Sequence, residues 1–77
     1  MVKRQKSEKY VYSWYTAEGN RPSTPYYESN LRRAKQSARL MAKGNCLLGS
    51  WARWYVDYRD AEDKISPDPI IYGQVEK

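Results

Sequence analysis

Histidine, the most common general base, triad centre and metal ligand, is absent from this 77-residue chain. The one cysteine, Cys46, has no imidazole to take its proton and no second thiol for an internal disulfide. A thiol in that position behaves as a small apolar side chain. Asp57, Asp60, Glu62, Asp63 and Asp68 carry the hard oxygens that calcium or magnesium takes. Their spacing does not match a glycine-containing calcium loop, so a solvated acidic turn is expected there, with no metal and no cofactor. The residue inventory is that of a non-enzyme.

Recognition is better supplied. The chain has eight tyrosines, three tryptophans and no phenylalanine, so every ring carries a polar group. A buried hydroxyl or indole N–H costs free energy unless it finds a partner, whereas at a surface the same rings give stiff, amphipathic contact area. Most of them are therefore expected between a thin core and a contact surface. Charge is segregated along the chain. Residues 1–9 carry four cations against one acid, residues 29–44 carry Arg32, Arg33, Lys35, Arg39 and Lys43 with no acid, and residues 57–77 carry six acids against three cations. A basic arm and a purely basic helix are what phosphate contact requires, and equally what a solvated helix face looks like.

The elements that must position these groups follow from the pattern. Residues 1–8 read as a flexible arm and 9–77 as one domain. From Lys9 to Thr16 a strand sets Tyr10, Tyr12, Trp14 and Thr16 on one face and Val11, Ser13 and Tyr15 on the other. Ala17 to Asn20 is a turn; a short second strand over 23–28 is confined to an edge by Pro22 and Pro25. Ser29 or Asn30 caps a helix whose apolar stripe is Leu31, Ala34, Ala38, Met41 and Ala42, and Gly44 is placed to end it. Its outer side holds Arg32, Gln36, Arg39 and Lys43, with Leu40 beside Arg33. From Ser50 to Arg59 a strand alternates Ala52, Trp54, Val56 and Tyr58, assigned to the helix side, with Trp51, Arg53, Tyr55, Asp57 and Arg59. An acidic loop over 60–69 and a last strand over 70–75 complete an α+β domain. Its three- to four-stranded, mainly antiparallel sheet has one helix on one face, and the other face is expected to be bare. No apolar run approaches the ~20 residues of a membrane span, and MVKRQKSEK lacks the apolar stretch of a signal peptide. A cytoplasmic location is expected.

The stretch from Tyr26 to Tyr58 resembles very small phage-encoded inhibitors of the anti-CRISPR type. An aromatic extended segment runs into Ser29 to Arg39, then Gly44, a short linker and an amphipathic strand. That resemblance implies a non-catalytic protein docking on a host nucleoprotein complex within an infected bacterium. Tyr12 to Asn20 followed by Leu31 to Ala34 is similar to the DNA-binding N-terminal domains of tyrosine-recombinase integrases, which implies direct nucleic-acid binding. The chain departs from that pattern at Pro22 and Pro25 and in the strands after its helix. The expected partner-binding residues are Arg32, Arg33, Arg39, Leu40 and Lys43 on the helix, and Trp51, Arg53 and Tyr55 on the strand. In the first reading they meet a protein; in the second the cations contact phosphates and the rings stack bases. A structural component of a virion is a third class.

Overall fold

The computed structural model describes residues 9–59 and 68–77. The basic arm over 1–8 and most of the acidic loop, with Asp60, Glu62 and Asp63, lie outside them. Tyr10–Thr16 form strand β1, Tyr26–Glu28 β2, Leu31–Asn45 helix α1, Trp51–Tyr58 β3 and Ile71–Glu76 β4. The four strands pair antiparallel in the order β2-β1-β3-β4, and α1 lies across one face. This is the α+β architecture expected from the sequence. The expected second strand shrinks to three residues at an edge, starting directly after Pro25. No helix among the described residues is long and apolar enough to cross a membrane.

Asn30 is the N-cap, its side-chain oxygen accepting from the Arg33 N–H at 3.2 Å. From there Ala34, Ala38, Ala42 and the following Cys46 recur every four residues, and all four are buried. Residues at that spacing form one ridge. Because the ridge is made of methyls and a thiol, the helix settles close to the sheet, and the sheet supplies the bulk through Tyr12, Trp14, Trp54 and Val56. A buried ring removes roughly 150–250 Å² from water, on the order of 4–6 kcal/mol as an upper bound. Three such rings are the main source of stability.

Two expectations about the helix are corrected. Gly44 does not end it: the helix runs on to Asn45, whose side-chain amide donates to the Met41 carbonyl, and Cys46 is the cap. The left-handed glycine is Gly49 instead, at φ 80°, where the chain turns into β3. Leu31 is not in the buried stripe but exposed, because the first turn faces the short β2, which gives it little to pack on. Gly19, at φ 90°, makes the turn after β1 as expected.

The core's polar handles are treated unequally. The Tyr12 hydroxyl bonds Ser37 on the helix, and its ring stacks on Tyr26 with centroids 5.4 Å apart. Burial, only partly offset by Ser37, raises its pKa above the ordinary phenol value. The Trp14 indole N–H is buried without a partner among the described residues.

Trp54 sets a tight constraint on β4. A Cβ placed on Gly73 would stand 2.6 Å from Cζ2 of the Trp54 ring, and that ring is itself buried and cannot retreat. Gly73→Ala is expected to destabilise the fold by ~1–3 kcal/mol through overpacking, read as a drop in melting temperature. Ala38→Asp, which buries a carboxylate under the sheet, is expected to unfold the domain, while Arg39→Asp one residue on leaves the melting temperature nearly unchanged.

Candidate docking face

Side chains alternate along a strand, so packing Ala52, Trp54 and Val56 under α1 turns Trp51, Arg53, Tyr55 and Asp57 to the opposite face. Pairing does the same for the neighbours. Tyr15 stands opposite Arg53, Arg53 opposite Gln74, and Tyr55 opposite Tyr72. Ile71 and Val75 pack on the core, which leaves Tyr72, Gln74 and Glu76 on the face away from the helix.

The side chains on this face hold one another in place. The Arg53 guanidinium lies 4.7 Å from the centre of the Trp51 ring, and its Nε donates to Oε1 of Gln74 at 2.9 Å. Tyr15 meets the Trp51 ring edge-on at 6.2 Å and tilts toward Tyr55 at 6.5 Å. Between β3 and β4 these groups line a shallow groove of about 720 Å³, bounded by Tyr15, Arg53, Tyr55, Asp57, Tyr72 and Pro69. Tyr72 is 74% exposed at its rim.

The face is not bare throughout, contrary to expectation. Val11, Ser13 and Arg59 are buried on it. Arg59 directly follows β3, yet its guanidinium lies 4.9 Å over the ring of Tyr27 on β2. The intervening strand is β1, so that side chain must cross it, closing the Val11 end of the face. What stays open is the half over β3 and β4.

The eight expected binding residues therefore do not share one surface. Trp51, Arg53 and Tyr55 sit on the open face of the sheet. Arg32, Arg33, Arg39, Leu40 and Lys43 are all exposed on the helix, which lies on the other face. Sequence reasoning missed Tyr72 and Gln74, and it put Tyr15 on this face without counting it as a contact. Their place depends on the pairing of β1, β3 and β4. The available signal was the alternation of Ile71, Gly73 and Val75 with Tyr72, Gln74 and Glu76.

Charges on the two surfaces differ. By strand alternation the open face carries Lys9, Arg53 and Arg59 against Asp57 and Glu76 among the described residues. The helix carries five cations and no acid. No protein-family model, curated protein or solved structure matches the chain.

Partial burial in the groove raises the Asp57 pKa above its ordinary value. A carboxyl whose pKa is higher folded than unfolded binds its proton more tightly in the native state. Its charge thus costs stability as pH rises through that interval, and the cost persists at neutral pH. Asp57→Asn is expected to raise the melting temperature at neutral pH, with the gain vanishing below about pH 3, where both carboxyl states are protonated. Thermal melts of both proteins across that range check the sign.

Proposed function

We propose that this chain is a non-catalytic binding protein that docks a protein partner through the open face of its sheet, with Tyr15, Trp51, Arg53, Tyr55 and Tyr72 as contacts. The observation that carries the reading is the separation of the open-face rings Tyr15, Trp51, Tyr55 and Tyr72 from the five helix cations. A single-strand nucleic-acid platform needs both on one surface, rings for the bases and cations for the phosphates. Here Tyr15, Trp51, Tyr55 and Tyr72 share a face whose charges nearly balance, while the cations Arg32, Arg33, Lys35, Arg39 and Lys43 project from the opposite side. A groove-bearing aromatic face with nearly balanced charge and a stacked arginine has the composition of a protein interface core. The resemblance to anti-CRISPR-type inhibitors makes a host nucleoprotein complex in the bacterial cytoplasm the partner class to test first. Inhibition there would follow from occupancy of a working surface.

The helix carries the second reading. Its unopposed cations suit a phosphate backbone, and direct nucleic-acid binding through them would show a steep loss of affinity with salt. The two readings predict different sensitive residues. Under protein docking, truncating Trp51, Arg53, Tyr55 or Tyr72 to alanine costs ~1–3 kcal/mol of partner affinity for the best of them. Melting temperature changes little, and capture of the partner from bacterial lysate survives nuclease treatment. Under nucleic-acid binding, changing Arg32, Arg33, Arg39 and Lys43 to glutamate abolishes binding and the ring truncations matter less. Affinity and melting temperature measured on both sets decide between them. Loss of stability without loss of affinity in the ring variants would show that those rings only cover the sheet.

A further inference from the structure

The two edges of the sheet are unequal. β2 is three residues long and follows Pro22 and Pro25, which shorten and blunt that side. β4 has six residues, rich in strand formers, with no proline, lysine or arginine between Ile71 and Glu76. The Lys77 N–H donates to the Ser50 carbonyl, which fixes the phase of the β3–β4 ladder. In an antiparallel ladder alternate residues bond alternate sides. Ile71, Gly73 and Val75 therefore turn their N–H and C=O groups to β3, and Tyr72, Gln74 and Glu76 turn theirs outward. No strand pairs there among the described residues.

We propose that two copies of this chain pair antiparallel through β4 about a two-fold axis at Gln74. In that register Tyr72 bonds Glu76 of the second copy, Gln74 bonds Gln74, and Glu76 bonds Tyr72, so the outward backbone groups of all three residues are used. The ends of β4 argue for a second copy as the occupant. At one end lies Ile70, 46% exposed. At the other lie Lys77 and the 46–50 connection, held together by the bond from Gly49 N–H to the Lys77 carbonyl. That connection exposes Leu47 at 57% and Leu48 at 88%. An antiparallel copy brings each end against its opposite, apolar to apolar. Residues directly opposite point the same way, so both open faces lie on one side of a continuous eight-stranded sheet, twice the four of one copy, and both helices on the other.

Sedimentation equilibrium of the full chain from micromolar to millimolar concentration should show a monomer–dimer equilibrium. Amide exchange by NMR should show the Tyr72, Gln74 and Glu76 N–H groups gaining at least about tenfold protection as the dimer forms. Gln74→Pro removes the central outward N–H and no backbone bond to β3, although it also removes the side-chain bond from Arg53, and should leave a monomer. Should that variant fail to fold, Leu48→Glu on the exposed connection should raise the dissociation constant about tenfold or more. A chain that stays monomeric at millimolar concentration would overturn the proposal. So would a dimer whose Tyr72, Gln74 and Glu76 amides exchange as fast as in the monomer. No binding partner enters the measurement, so its failure leaves the docking-face reading untouched.

Discussion

The closeness of one helix to one sheet sets the positions of everything else in this fold. Ala34, Ala38, Ala42 and Cys46 make a ridge of small side chains at four-residue spacing, fully covered by the sheet. Larger residues on that ridge would lift the helix and open voids around Trp14 and Trp54, and voids in a thin core are costly. The same closeness leaves no slack at the sheet, which is why Trp54 presses on Gly73. Because Trp54 is held down on the helix side, its neighbours Arg53 and Tyr55 must point the other way. A one-residue slip of β3 would bury Arg53 and expose Trp54, so the core fixes the register of the candidate docking face.

Placing the helix on one face divides the surface into two chemical regions. The helix shields the core and spends its outer side on cations. The uncovered half of the sheet gathers rings, one stacked guanidinium and a partly buried carboxylate. A mixed surface would suit single-stranded nucleic acid, with phosphates and bases contacted together. Separated surfaces suit a protein partner on the rings and leave the cations to tune encounter rates through long-range attraction.

Much of the fold was legible in the sequence because its signals are local. The alternation from Tyr10 to Thr16 and from Trp51 to Tyr58, and the alanine spacing from Ala34 to Ala42, identify the elements and their inward faces. Pro22 and Pro25 confine the weak strand to an edge. Less was legible where the answer depends on packing between distant segments. Gly44 looked like a helix stop, but glycine is also tolerated within a helix at modest cost, and here the cap falls at Cys46. Leu31 fits the apolar period but overhangs the short β2. The candidate site was half legible. Trp51, Arg53 and Tyr55 are visible from one strand's alternation, whereas Tyr72 and Gln74 join them only through the β3–β4 register. The burial of Val11 was hidden for a related reason, since a residue as polar as Arg59 gives no local sign that it will cross a strand to reach Tyr27.

The absence of phenylalanine is consistent with this geometry. Of the rings, only Tyr12, Trp14 and Trp54 are buried, and Tyr12 has its hydroxyl bonded to the helix. The remaining rings are half-buried or exposed, where a phenyl group would present an apolar patch with no polar edge. Tyrosine and tryptophan keep that surface wettable when unoccupied and lose few rotamers when occupied. The arrangement around Trp51 extends the same economy of freedom. Arg53 is a long side chain that would ordinarily lose considerable entropy on being held by a partner. Stacked on Trp51 and bonded to Gln74, it is already held in the free protein, so less ordering remains to oppose association. A face whose rings and arginine are fixed by each other would lose little further freedom on association, because the same contacts already keep it ordered.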